Sequence, residues 1–425
     1  MSILAILSVS NIVLLFAFQW YIVTSIGSGW QTDALFAAMV VPNLVLAIVS
    51  SSLTHVLVPI LSVKEGKDFE NSAWMYFYLI GFFFLAISLL LIVTDEFWIP
   101  LLLPGFSNSE LQLTINIFEI QVFGIVGTAL VAILEAASHA KLKFYNVELI
   151  KIFVGVLALI AIMLSIDQFS IYAAAIIFSL RPLVSVVLMI RHLGHWRSPT
   201  FNKSDIKSVW YRLKYLIGGT AYYKTDPLLD RFLLSMASAG SITLYHLAQQ
   251  IYSAGSTVMN RAISVPMVPV LSRHADSGNW STFRLFYRRR LNFTLALSVL
   301  VIILMYLTGD YFIELLFHYR NFSESSVHEM WLIMMALSGM FVAGSLGQIL
   351  ASSFYSYGNT KTPTHIGIFG YTLAIPIKIA GFYFYGVIGV AVAASAYYLF
   401  NAAMLYFFLQ KNVRYQNQNT LGVTR

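Results

Sequence analysis

Apolar windows of about 20 residues recur along this chain from one end to the other. Each is long enough to cross a bilayer core about 30 Å thick. Twelve are centred near residues 14, 46, 83, 124, 156, 179, 222, 257, 298, 341, 374 and 398. Inside hydrocarbon the backbone has no water to bond to, so each window must satisfy its own N–H and C=O groups as a helix. Only 11% of the residues are charged and 58% are hydrophobic, whereas an average soluble domain is about 25% charged. The first window, 3–26, has no basic segment before it and is too long for a typical signal-peptide core. It therefore reads as a retained span.

The net charge of +7 follows from topology, with no call for a nucleic-acid partner. Lys64 and Lys67 follow span two, and Lys141 and Lys143 follow span four. Arg191, Arg197, Lys203, Lys207, Arg212 and Lys214 follow span six, and Arg273, Arg284, Arg288, Arg289 and Arg290 follow span eight. Lys361 follows span ten, and Lys411, Arg414 and Arg425 follow span twelve. The opposite loops hold one clear exception, Arg320. Basic loops stay on the cytoplasmic side. Both termini are therefore expected there, which requires an even number of spans.

The widest polar interval, about 192–207, divides the chain into halves. The expected organisation is an N-terminal six-helix lobe over 1–193, a cytoplasmic linker over 194–214, a C-terminal six-helix lobe over 215–412 and a cytoplasmic tail over 413–425. The stretch 206–216 mixes basic and aromatic residues and is expected along the membrane surface. Six spans per lobe bring the second lobe in with the same orientation as the first. The expected fold is thus an all-α polytopic membrane protein of about twelve helices, its lobes related by a parallel pseudo-two-fold repeat. Repeated words support this. Val58, Pro59, Ile60, Leu61 and Ser62 return as Val268, Pro269, Val270, Leu271 and Ser272, and Phe106-Ser107 returns as Phe322-Ser323. The outer loops, about 95–112 and 309–329, are too short for a catalytic domain.

Charges inside spans are costly and mark interior or water-lined faces. They are Glu119, Glu135, Lys151, Arg181, Lys224, Asp226, Asp230, Arg231, Arg261 and Lys378. Span seven is densest: Asp226 and Asp230, four apart, share a helix face, and Pro227 between them removes an amide and bends the helix. A cavity wall and an internally paired structural cluster both fit this pattern. Pro42 and Pro266 interrupt spans two and eight, as moving parts or as simple bends. Span eight also carries Gln249, Gln250, Asn260 and Arg261, too polar for a lipid-facing helix, with Arg261 the best single cation for an anionic head group. His192 and His195 read as solvated loop residues. Without cysteine there are no disulfides or thiolate metal sites, and no phosphate-binding loop indicates an ATPase. No cofactor and no metal are expected, and energy must come from an ion, potential or substrate gradient.

Gly29, Thr32 to Phe36, Pro42-Asn43-Leu44 and Pro59 to Ser62 resemble the opening of the MviN/MurJ family of lipid II flippases. Pro104-Gly105-Phe106, Gly240 to Thr243 with Ala248, Pro269 to Arg273, Leu315-Leu316-Phe317, Phe354-Tyr355-Ser356 and Asn359 to Pro363 continue that resemblance in order along the chain. Asp230-Arg231 resembles a pair in oligosaccharide flippases of the same exporter superfamily. The resemblance implies an inner-membrane flippase that turns a polyprenyl-diphosphate-linked glycan to the outer leaflet by alternating access. Family members look fourteen-spanned, against the twelve spans counted here. The family's cavity arginines in spans one, two and eight have no counterpart: span one holds none, Leu44, Val45 and Leu46 follow Pro42-Asn43, and Gln250 stands in span eight.

On this reading Arg261, Lys151, Arg181 and Arg231 hold the diphosphate, and Gln249, Gln250 and Asn260 hydrogen-bond sugar or peptide. Asp33, Asp226 and Asp230 gate or couple to ions, and Pro42, Pro227 and Pro266 are hinges. Lipid II and a lipid-linked oligosaccharide remain alternative cargoes. A glycan polymerase or glycosyltransferases are the protein partners such a carrier would meet. The rival readings are an ion-coupled exporter of small amphipathic compounds and a membrane-embedded glycan transferase.

Overall fold

A computed structural model describes residues 2–198 and 221–423 of the chain. Most of the expected linker, with the 206–216 segment, lies outside the described residues. All regular structure among the described residues is helical. The helices are α1 (Ser2–Ile26), α2 (Trp30–Ala38), α3 (Val40–Ser62), α4 (Gly66–Val93), α5 (Asp95–Leu102), α6 (Asn108–Gln121), α7 (Phe123–Ala140) and α8 (Phe144–Met189). After the undescribed stretch come α9 (Asp226–Leu234), α10 (Ser241–Met259), α11 (Val265–Asp276), α12 (Trp280–Phe317), α13 (Glu324–Tyr355) and α14 (Lys361–Val423).

Eight segments are long and apolar enough to cross a membrane, and two of them are double. Helix α8 has 46 residues, a length of about 70 Å at 1.5 Å per residue, over twice the hydrocarbon core. Its chain turns at Ser170, with φ 48° and ψ −134°. Helix α14 turns at Gly386 with nearly the same backbone, φ 57° and ψ −137°. Past that turn the chain runs back on itself: a Cβ placed on Gly381 would lie 2.6 Å from the Gly389 carbonyl oxygen. The same unusual turn at the same place in each half is the sequence duplication written in the backbone. Helix α9 and the pair α10–α11 stand where the sequence places spans seven and eight.

Two compact units form. Unit 1 comprises Met1–Thr243 with Tyr319–Phe322, and unit 2 comprises Leu244–His318 with Ser323–Arg425. By this measure the boundary falls after span seven. In unit 1, α7 is the central helix, packed against α3, α4 and α8. Gly124 and Gly127 let α7 approach the second span of α8, where their Cβ positions fall 3.2 Å from the Ser179 Cα and 3.0 Å from Leu183. Small residues at a contact are how membrane helices gain packing without a hydrophobic driving force. In unit 2, Met267, Leu271, Phe283, Tyr287, Leu350 and Phe354 join α11, α12 and α13 around Leu409 of α14. Outward faces are apolar as well: Leu89, Leu90, Leu164, Val187, Leu304 and Leu307 are exposed, as lipid requires.

Two expectations change. His192 is buried and hydrogen-bonds to the Ser138 hydroxyl at 2.7 Å, so it fastens span six to α7 and is not solvated. His195 is exposed but tied down. Its backbone amide and Nδ1 both reach Glu70 Oε1 at 3.1 Å, and Arg197 Nε donates to Glu70 Oε2 at 3.1 Å. Trp74 Nε1 donates to the His195 carbonyl at 2.9 Å. The described start of the linker is thus clamped to α4.

Candidate functional site

The densest polar arrangement in unit 1 lies where α1 ends, α2 begins and α10 begins. Asp33 on α2 is buried, at 2% exposure. Its Oδ2 accepts the Gly240 amide at 2.7 Å, and its Oδ1 accepts the Thr243 amide at 2.7 Å and the Thr243 hydroxyl at 2.6 Å. The first amides of a helix have no partner within it and carry the positive end of its dipole. Asp33 therefore caps α10 from a different helix. Gly240 takes φ +95°, and a Cβ there would meet Ser28 backbone atoms at 3.3 Å, so glycine permits the approach. Thr32 completes the entry to α2: its hydroxyl accepts the Gly29 amide and lies 3.0 Å from the Gly27 carbonyl.

Two loops that share a sequence pattern brace this region. Asn321 donates from its amide to the Thr24 carbonyl at 2.9 Å and from its side chain to the Ser25 carbonyl at 2.5 Å. Arg320 reaches Ser25 Oγ and Asp167, each at 3.2 Å. The Gly105 amide donates to Ser235 Oγ at the end of α9 at 3.4 Å, and the backbones approach so closely there that no side chain fits at 105. One repeated loop thus braces the end of span one and the other the end of span seven. Both braces belong to unit 1.

The three expected hinge prolines share one setting: each stands in the first turn of a helix that follows a break. Met39 separates α2 from α3, and Pro42 is the third residue of α3. A 3-10 turn, Tyr223–Thr225, precedes α9, and Pro227 is in the first turn of α9. Pro227 thus begins a helix instead of bending one from within. A π turn, Asn260–Ser264, precedes α11, where Pro266 lies in the first turn. Proline lacks an amide and its ring crowds the carbonyl four residues back. The chain answers by widening: the Val265 amide bonds back five residues to the Asn260 carbonyl. Asn260 and Arg261 sit on this π turn, a feature frequent at functional sites.

The four expected phosphate cations separate into two kinds. Lys151 forms an ion pair with Glu135 at 2.6 Å. Arg231 is buried on α9 and is partnered, as are Asp226 and Asp230, which favours the paired reading of span seven. Lys224 donates to the Ala47 carbonyl, and Lys378 is buried and partnered. By contrast, the Arg181 guanidinium has no ion pair or hydrogen bond among the described residues. It lies mid-span in unit 1, 3.7 Å from where a Cβ on Gly155 would sit. Arg261, in unit 2, is exposed on its π turn and likewise has no partner among the described residues.

Of the three expected sugar contacts, Gln249 lines a groove of about 540 Å³ within unit 2. Gln250 turns to His246, at 3.5 Å. Sequence reasoning missed Gln348, Tyr398 and Asn401, which line the same groove. The available signal was a glutamine and an asparagine inside the apolar spans ten and twelve.

Two similar halves of membrane-spanning helices, with Arg181 and Arg261 mid-span and without partners among the described residues, define a polytopic membrane protein built by duplication. Solved structures carry the same fold. The chain matches "Lipid II flippase MurJ, inward closed conformation" with a TM-score of 0.85 at 17% identity, covering 99% of this chain and 91% of that one. It matches an inward-facing multidrug resistance MATE family transporter of the MOP superfamily with a TM-score of 0.81 at 11% identity, covering 97% and 96%. A probable lipid II flippase MurJ of Vibrio cholerae is 24% identical over 230 residues, 54% of this chain and 43% of that protein's length. A namesake from Buchnera aphidicola subsp. Baizongia pistaciae is 25% identical over 405 residues, 90% and 77%. The model of the family "Lipid II flippase MurJ" matches residues 22–424, and the chain belongs to that family.

Proposed function

We propose that this protein turns a polyprenyl-diphosphate-linked glycan from the inner to the outer leaflet of the bacterial cytoplasmic membrane, with lipid II the first cargo to test. The reading is supported by the family, and within the chain by one observation above all: Arg181, half-buried, and Arg261, exposed on its π turn, are mid-span cations without partners among the described residues. A charge within a span is costly unless a partner or water compensates it, and the cargo's diphosphate is such a partner. The diphosphate and its sugars cannot enter hydrocarbon, whereas the polyprenyl tail can remain there. The carrier therefore needs to shelter only the head.

Asp33 is the gate. By the charge of the loops, the end of unit 1 that holds Asp33 faces outward, with both termini inside. Three hydrogen bonds to one carboxylate hold α2 on the start of α10, and their release frees the ends of those helices. Pro42, Pro227 and Pro266 mark the breaks at which the helices bend during that step. A lipid-linked oligosaccharide is the second cargo to test, because the family's arginines in spans one, two and eight are missing here. Expression in a bacterium depleted of its own lipid II flippase separates the two. Lipid II reaching the outer leaflet, with growth restored, supports the first; restored surface polysaccharide alone supports the second. Export of cationic dyes with neither lipid moved would sink both.

A further inference from the structure

Where α12 begins and α14 finishes, unit 2 gathers cations without supplying their counter-charge. The acidic residues of unit 2 are Asp276, Asp310, Glu314, Glu324 and Glu329. Asp310 stands about 40 Å along α12 from Arg284, at 1.5 Å per residue, and Glu314, Glu324 and Glu329 follow it. Asp276 is exposed and forms no ion pair among the described residues. At this end a cavity of about 300 Å³ opens between α12 and α14. Trp280, Arg284, Leu285 and Arg288 line it from α12, and Arg414 and Asn417 line it from α14. Arg284 and Arg288 are one turn apart on one helix face, and both are half-buried. Arg288 reaches across to α14, donating from Nη2 to the Tyr406 hydroxyl at 3.4 Å. Arg284 and Arg414 have no hydrogen bond or ion pair among the described residues. A second recess, about 510 Å³, shares Arg414 and continues along one face of α14 past Lys411 to Phe407. Not every arginine here turns inward. Arg289 and Arg290 line neither recess, and Arg290 lies over the Phe286 ring at 5.3 Å.

Three guanidinium groups lining one cavity repel one another unless an anion joins them. None of the lining residues is Asp or Glu, so the anion comes from outside. Arginine forks match the oxygens of phosphate two at a time. By the charge of the loops this end faces the cytoplasm, where basic pockets between spans take the head groups of anionic lipids. Two exposed apolar side chains give acyl chains a surface that a soluble anion does not need. Leu285, 71% exposed, stands beside Arg284, and Phe407, 63% exposed, is about 10 Å from Arg414 along α14. We propose that this cavity binds an anionic phospholipid of the inner leaflet, its phosphate held by Arg284, Arg288 and Arg414 and its chains laid past Leu285 and Phe407. Neither Arg181 nor Arg261 takes part, so the site is independent of which cargo is carried.

Lipid binding to the full-length protein in neutral detergent, read by native mass spectrometry, tests this. The unmodified protein should bind dioctanoyl phosphatidylglycerol about tenfold or more tighter than dioctanoyl phosphatidylcholine. Arg284→Gln with Arg414→Gln should weaken phosphatidylglycerol binding about tenfold or more and leave phosphatidylcholine unchanged. Arg289→Gln with Arg290→Gln removes as much charge from the same end and should leave both affinities within about twofold. Asn417→Trp, which fills the cavity and keeps every charge, should weaken phosphatidylglycerol binding as well, so the outcome does not hang on one variant's folding. Equal losses in the two arginine pairs would mean a diffuse basic surface and no site. Inorganic phosphate competing as well as phosphatidylglycerol would leave an anion site with no lipid selectivity. Undecaprenyl diphosphate displacing phosphatidylglycerol at far lower concentration would give the cavity to the cargo. Each of these three results overturns the phospholipid site.

Discussion

Asp33→Ala offers the sharpest perturbation of the gate. It removes three hydrogen bonds of 2.6–2.7 Å to a carboxylate and orphans the Gly240 amide just before α10 and the Thr243 amide in its first turn. Hydrogen bonds to a charged group contribute about 1.5–3 kcal/mol each. They are not additive, and an opened carboxylate regains water. A net cost near 3 kcal/mol to the latched state is the reasonable magnitude, equal to about 100-fold in the latch equilibrium. The chain has no cysteine, so a single Ile242→Cys reports cleanly. Ile242 is fully buried in the first turn of α10. A membrane-impermeant maleimide added outside should label it slowly in the parent and about 100-fold faster with Asp33→Ala. Asp33→Asn, which keeps one acceptor oxygen, should fall between. Equal labelling rates in all three would refute the latch.

Ser170→Gly should raise the melting temperature, because φ 48°, ψ −134° strains a residue with a Cβ by about 1–3 kcal/mol and Gly386 adopts the same turn freely; a lower melting temperature contradicts this. Gly105→Ala should destabilise the protein and speed labelling at Ser235→Cys, since a side chain at 105 meets the Ser235 backbone. Lys151→Met should cut transport far less when combined with Glu135→Gln than alone, as expected for a paired structural charge, whereas Arg181→Ala should reduce transport about tenfold or more whatever its background. Asp95, at the start of α5 and outside the spans, is buried, and burial pushes its carboxyl above the usual carboxylate range. The folded state then binds the proton more tightly than the unfolded state, so stability falls as pH rises through that range. Asp95→Asn should therefore raise the melting temperature more at pH 8 than at pH 4.

The spans were legible because hydropathy over about 20 residues is a local property and lipid tolerates few exceptions. The duplication was legible too, since Pro59 and Pro269, or Phe106 and Phe322, are words that need no structure to match. Roles were harder. Asp33 is one acidic residue in an apolar stretch; its work is defined by Gly240 and Thr243, over 200 residues away, and no local pattern carries that pairing. Lys151 and Arg181 look alike as intramembrane cations. Only the placement of Glu135 beside one and not the other tells them apart. The π turn at Asn260 was foreshadowed by Pro266, yet a proline alone does not say whether a helix bends, restarts or widens. Gln348 and Asn401 stood in plain view inside apolar spans. That both line one groove beside Gly344 and Gly347 shows only in the structure.

Flipping by the purified protein tests the central claim most directly. Proteoliposomes carry fluorescent undecaprenyl-diphosphate disaccharide, and an added quencher reads its leaflet over time. The expected result is protein-dependent exchange between leaflets that Arg261→Ala slows about tenfold or more. Exchange no faster than in protein-free vesicles, or exchange that Arg261→Ala together with Arg181→Ala leaves untouched, would contradict a carrier built around these two mid-span cations.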